Sequence, residues 1–259
     1  MYNVVYCSMQ GKVREINEDA LLVNNSILKE CGTTELDTPY FLTVVADGMG
    51  GYAKGELASY AVLDSLRKSK PRDRNELVIA LMEAKNRLNE IALKEKVELG
   101  TAIAGVLSVN DHLLVFNVGD CRVYKVTASG EVIVITKDHT LANQLKKFKI
   151  NDVAVEKQKN ILTSAIIGGA KNEDFEIFND NIILDCNEKL LICSDGFWNT
   201  FESEICEMAD KRDVIKFVKK NIKYKNMNDD YSFILIEEQN KANYARKLLH
   251  KFKKRLWNG

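Results

Sequence analysis

The chain has 259 residues, 46% of them hydrophobic, with 37 basic against 37 acidic residues and a formal net charge of zero. That length suits one large domain with an ample core, and the balanced charge excludes a global field that would draw nucleic acid. Six scattered cysteines (Cys7, Cys31, Cys121, Cys186, Cys193, Cys206), with no C-x-x-C pair and no tight cluster with histidine, favour reduced thiols over a disulfide framework or a zinc site. The N-terminus lacks the basic start and apolar core of a signal peptide, and no apolar run is long enough to span a bilayer. These features predict a soluble cytoplasmic protein.

Tyr2–Ser8 and Ala20–Asn24 read as strands joined by a charged connection over 11–19. Residues 25–40 are polar and end beside Pro39, which predicts a loop or edge excursion before a β-branched strand, Phe41–Ala46. Leu57, Ala61, Val62 and Leu66 keep helical spacing, and Leu77, Leu81, Ala84, Leu88, Ile91 and Ala92 mark a second amphipathic helix over 75–98. Short apolar or alternating runs follow at 101–109, 113–118, 123–126 and 132–136. Their connections are too short for crossover helices, so the pairing should be antiparallel. A polar, partly helical stretch over 140–160 interrupts the strands, which return at 176–178, 182–184 and 190–193. A helix over 214–220 and a strand over 231–236 complete the pattern. Helices in blocks between antiparallel strands predict an α+β fold in which helices cover packed sheets.

Chemistry collects where these strands end. In Val44-Val45-Ala46-Asp47-Gly48-Met49-Gly50-Gly51 an apolar run stops at a carboxylate followed by glycines. This is either a hairpin turn or a turn that presents Asp47 and nearby main-chain carbonyls to a ligand. Asp120, Asp195 and Asp229 occupy similar strand-to-turn positions, and Glu18 and Asp19 immediately precede the second strand. If these ends share one edge of the fold, the acids cannot all stay ionised without bound cations or protonated members. Oxygen-only donors suit Mg²⁺ or Mn²⁺ better than zinc.

Arg14-x-x-Asn17-Glu18-Asp19, Ala46-Asp47-Gly48-Met49-Gly50-Gly51, Gly100-Thr101-Ala102, Val118-Gly119-Asp120-Cys121-Arg122, Asp138-His139-Thr140, Asn160-Ile161-Leu162-Thr163, Cys193-Ser194-Asp195-Gly196-Phe197-Trp198 and Asp229-Asp230-Tyr231-Ser232 stand in a telling order. The chain resembles the type 2C metal-dependent protein phosphatases, bacterial serine/threonine phosphatases in particular, over nearly all of its first 237 residues. The resemblance implies an α-β-β-α sandwich of two antiparallel sheets flanked by helix pairs, with a binuclear Mg²⁺ or Mn²⁺ centre at one end. Asp47 would bridge both ions, Gly48 would offer its carbonyl, and Asp195 and Asp229 would hold the other ion. Asp120, with Asp195, matches a third-ion site of bacterial members. Glu18 and Asp19 would hold metal-bound waters, and Arg14 would grip the phosphate, so Arg14, Asp47 and Asp195 form the catalytic set. Asp230, directly beside Asp229, leaves the choice of ligand there open. Met49 stands where eukaryotic relatives commonly carry histidine, which removes one candidate proton donor.

The implied activity is hydrolysis of phosphoserine and phosphothreonine on proteins by a metal-activated water, opposing a serine/threonine kinase, with no nucleic-acid partner. A pseudo-phosphatase acting as a binding module and a hydrolase of small phosphoesters are the alternatives. Residues 1–238 form the expected catalytic domain. The segment 239–259 reads as a basic amphipathic helix, with seven Lys or Arg and Tyr244, Leu248, Phe252 and Leu256 on one face. It would either dock on a sheet or touch an anionic membrane surface or a partner.

Overall fold

The computed structural model describes residues 1–49, 54–110, 112–147, 158, 161–169, 174–185 and 187–239. The C-terminal segment 240–259, most of 148–160 and Cys186 fall outside them. Strands β1 (Tyr2–Met9), β2 (Ala20–Val23), β3 (Ser26–Leu28), β4 (Gly32–Leu36) and β5 (Tyr40–Met49) precede helices α1 (Gly55–Ser69) and α2 (Arg74–Glu95). Then come β6 (Leu99–Val109), β7 (His112–Val118), β8 (Arg122–Val126), β9 (Val132–Val134), α3 (Leu141–Lys147), β10 (Ile166–Gly168), β11 (Phe178–Ile182) and β12 (Lys189–Cys193). Helices α4 (Asp195–Phe201), α5 (Ile205–Ala209) and α6 (Val214–Asn221) lead into β13 (Tyr231–Glu238).

Every pairing between these strands is antiparallel. One sheet runs β4-β1-β13-β12-β8-β9 and the other β11-β7-β6-β5-β2-β3, with β10 also paired to β6. Side-chain alternation along β5 shows why two sheets and helices must stack. Leu42, Val44 and Ala46 join a core with Leu63 and Leu66 of α1 and Leu81 and Leu88 of α2. Phe41 and Val45 point the other way, into a core with Val4, Ile192 and Ile234 of the opposite sheet. A third core sets Leu191 and Phe233 against Phe197, Phe201, Ile205 and Val218 of α4–α6. The layers are therefore helix, sheet, sheet, helix, as the sequence implied.

Several expectations need correction. β5 does not stop at Asp47: it pairs with β6 through Asp47↔Ala102, Gly48↔Thr101 and Met49↔Gly100. The apparent hairpin signal is a strand end that can contain glycine because the neighbouring backbone packs against it, and a Cβ on Gly48 would collide with the backbone of Gly55 and the carbonyl of Glu18. Residues 25–40 contain β3 and β4, short edge strands with little apolar signature. The runs at 176–178 and 182–184 are instead one strand, β11, whose Asn179-Asp180-Asn181 centre pairs with β7 at the sheet edge. β10, α4 and α5 were not anticipated. Cys7 and Cys31 are joined as a disulfide, against the expectation that all thiols are free. The β1–β4 register brings Tyr6 opposite Gly32 and so places these cysteines side by side, which a separation of 24 residues conceals. Cys121 and Cys193 are buried free thiols.

Candidate active site

A cavity of about 280 Å³ opens where β5 runs out of its sheet. Glu18, Asp47, Asp120, Asp195 and Asp229 line it, with Arg14, Gly48, Met49 and Leu162 completing the wall. Five carboxylates thus face one guanidinium. Each residue reaches the pocket by a different route, and backbone contacts fix most of them.

Asp47 lies on β5, where the Thr101 hydroxyl donates to its carbonyl at 2.8 Å. Burial raises its carboxyl well above the usual range, and the charges of Asp19, Asp195 and Asp120 push in the same direction. Asp195 opens α4; burial raises its carboxyl too, with Asp229 adding repulsion while a hydrogen bond with Asp47 opposes the rise. Burial, reinforced by Asp195, pushes Asp120 up to about 7. Its turn is clamped from several sides. Gly119 takes φ +99°, its N–H donates to His139 Nδ1 at 3.0 Å, and Trp198 Nε1 donates to the Asp120 carbonyl at 3.0 Å. Arg122 lies 3.6 Å over the Trp198 ring. His139 and Trp198 therefore hold the Asp120 turn in place.

Glu18 is tied to α1, accepting from the Gly55 N–H at 3.0 Å while its main-chain carbonyl accepts from Ser59 Oγ at 2.7 Å. Asp19 does not line the cavity. It is buried behind it, where Ser194 Oγ donates to Oδ2 at 2.9 Å, and burial pushes its carboxyl up to about 8. Ser194 Oγ in turn accepts from the Ser232 N–H at 2.9 Å. This Ser194–Ser232 relay was missed in the sequence, where neighbouring serines carry no distinctive signal.

The structure separates the two adjacent aspartates. Asp230 is 3% exposed and its carboxylate accepts from the N–H groups of Gly11 and Glu18, each at 2.8 Å. It is committed to holding the N-terminal connection. Asp229 faces the cavity, where it accepts from Arg14 Nε at 2.8 Å and Nη2 at 2.5 Å.

Oxygen donors crowded around an open pocket, with acids in excess of bases and carboxyls pushed upward, fit hard divalent cations. Among the described residues no three His, Cys, Asp or Glu side chains already converge as a closed ligand shell. Such ions keep several waters and need only one or two carboxylates each.

Fold and pocket together define a sandwich of two sheets with an acid-lined cavity and one arginine at one end. The model of the family described as Protein phosphatase 2C matches residues 29–232, and the chain belongs to that family. The serine/threonine protein phosphatase PstP of Mycobacterium tuberculosis is 25% identical over 207 residues, covering 76% of this chain and 36% of PstP. The chain thus spans little more than a third of that relative. The Streptococcus agalactiae serine/threonine phosphatase superposes with a TM-score of 0.77 at 22% identity, covering 92% of this chain and 100% of that one. The PstP catalytic domain in complex with two manganese ions gives 0.68 at 22% identity, over 92% and 99%.

Proposed function

We propose that this chain is a metal-dependent protein phosphatase that hydrolyses phosphoserine and phosphothreonine on proteins. The observation that carries the reading is the ring of five carboxylates around a pocket whose single guanidinium, Arg14, is exposed at its mouth. Asp47, the Gly48 carbonyl, Asp195 and Asp229 would hold two Mg²⁺ or Mn²⁺ ions, Asp120 with Asp195 a third, and Glu18 their waters, while Asp19 stays behind the cavity on Ser194. Bound there, such ions supply an activated water and neutralise charge on the transferring phosphoryl group.

Arg14 presents a planar fork that matches two phosphate oxygens, and its partner Asp229 would serve as a ligand where ions are bound. Thr101 keeps the Asp47 carboxylate in register through its main chain, and Trp198 and His139 keep Asp120 turned toward the pocket. Met49 cannot donate a proton, so the leaving oxygen takes its proton from solvent in the pocket.

Mn²⁺-stimulated phosphate release from a phosphothreonine peptide, compared with p-nitrophenyl phosphate and repeated with Asp195→Asn, tests the reading. Activity on both substrates that vanishes in the variant supports it. Activity on the small ester alone indicates a small-molecule phosphoesterase, and none on either indicates a binding module. The partners we propose are phosphoproteins and an opposing serine/threonine kinase. Among the described residues no helix is long and apolar enough to cross a membrane. We place the chain in the cytoplasm, which cell fractionation tests; recovery in the secreted or membrane fraction contradicts that placement.

A further inference from the structure

A second cavity is larger than the acidic one. About 440 Å³ opens at the opposite end of β5, where the strand begins. Asp47 lies seven residues along, about 23 Å away at the rise of an extended strand. The other wall comes from the far end of α1, whose first residue Gly55 binds Glu18.

The cavity has two unlike sides. Arg67 and Lys70, at the end of α1, and Arg72 just beyond bring three cations to it, and no acid lines it. Arg67 is paired with Asp64 at 2.6 Å. Lys70 and Arg72 form no ion pair with a described residue, and Arg72 lies 5.5 Å from the centroid of the Tyr40 ring. Opposite them, Pro39 and Tyr40 make an apolar wall, with the buried Leu42 beneath it. The Asn24-Asn25 turn between β2 and β3 adds amide donors at the rim. From Asp64 to Glu76 the chain carries five basic and three acidic residues, so the excess charge around this cavity is positive while that around the catalytic pocket is negative. The Tyr40 hydroxyl is held above its usual range by burial, with Arg72 opposing, and so remains a neutral donor.

Two cations with no ion-pair partner among the described residues, one a guanidinium fork on a residue whose main-chain N–H donates to the Glu76 carboxylate at 2.8 Å, match a phosphate dianion. A bare phosphate would leave most of 440 Å³ empty and the apolar wall uncovered. We propose that this cavity is a second binding site, separate from the catalytic pocket, for a small phosphorylated organic molecule: the phosphate against Lys70 and Arg72, the body against Pro39 and Tyr40.

The test is isothermal titration of the full chain, loaded with Mg²⁺, with the non-hydrolysable phosphonate analogue of AMP, and in parallel with adenosine and with inorganic phosphate. The analogue should bind with a Kd of about 1 mM or tighter, with each fragment at least about tenfold weaker. Lys70→Ala with Arg72→Ala should weaken the analogue at least about tenfold, as should Lys70→Glu alone. Both variants should keep the wild-type melting temperature and turnover of p-nitrophenyl phosphate, and Arg14→Lys should leave the affinity unchanged. The proposal is overturned by absence of binding, by phosphate binding as tightly as the analogue, or by an affinity that falls in Arg14→Lys and survives in the Lys70/Arg72 variants.

Discussion

Asp230→Ala should damage the fold and Asp229→Ala the metal site, although the two residues are neighbours. The Asp230 carboxylate accepts from two backbone N–H groups, Gly11 and Glu18, at 2.8 Å each. Deleting it strands both donors in a buried place, at about 1–3 kcal/mol each before water or local shifts recover part of the loss. A net loss of about 3 kcal/mol in a domain of this size lowers the melting temperature by about 6–12 °C. Asn at 230 keeps one acceptor and turns an NH₂ toward the other donor, so Asp230→Asn should fall between. Asp229 differs: its side chain and that of Arg14 are each 41% exposed, and an ion pair so open to solvent is worth under about 1 kcal/mol. Asp229→Ala should therefore melt within about 4 °C of wild type in EDTA yet lose a Mn²⁺ equivalent by calorimetry. Scanning fluorimetry in EDTA with Mn²⁺ titration separates the cases. The assignment fails if Asp229→Ala melts well below Asp230→Ala, or if Asp230→Asn folds normally but loses the ion.

Arg14→Lys should abolish phosphopeptide turnover while leaving Mn²⁺ binding intact, since an ammonium cannot reproduce the two-pronged contact; unchanged turnover refutes the role given to Arg14. Asp120 at about 7 and Asp19 at about 8 are raised from an ordinary value of about 3.9, so the metal-free fold holds more protons than the unfolded chain from about pH 4 to 8. That stabilisation is full below about pH 4 and is lost as pH rises through 7 to 8. Urea midpoints in EDTA should accordingly fall between about pH 6 and 8, while Mn²⁺, which displaces those protons, should bind more tightly over the same interval; a midpoint that rises in EDTA contradicts the argument. Gly48→Ala should cost about 1–3 kcal/mol because the added methyl meets the Gly55 backbone, and a wild-type melting curve would show that the approach is not tight. Trp198→Phe should keep the core but lose the bond to the Asp120 carbonyl, about 1 kcal/mol, with weaker occupancy of any ion held by Asp120 as the readout.

Much of this site was legible because its chemistry is written in short local strings. Arg14, Glu18, Asp47, Gly48, Asp120, Asp195 and Asp229 were all named from their strings and all line one cavity. What the strings could not show was how the backbone uses their neighbours. Asp230 looks like a spare ligand beside Asp229 until its two amide donors are seen more than 200 residues away in sequence. The strand through Gly48 was hidden because glycine after aspartate usually marks a turn, and only the close approach of α1 explains its presence. β11 was split because Asn179, Asp180 and Asn181 have poor strand propensity, and pairing with β7 overrides that preference.

The bonds from Gly11 and Glu18 to Asp230 also fix when the pocket can exist. They, and the register of β1 against β13, join the first residues of the domain to the last strand. During synthesis the residues before Asp230 can be made while Arg14 and Glu18 still lack the strand and the carboxylate that orient them. Contacts of such long sequence separation form late. The arrangement makes the pocket wait for β13, so a chain truncated or stalled ahead of that strand carries most of the acids but has no means of assembling them.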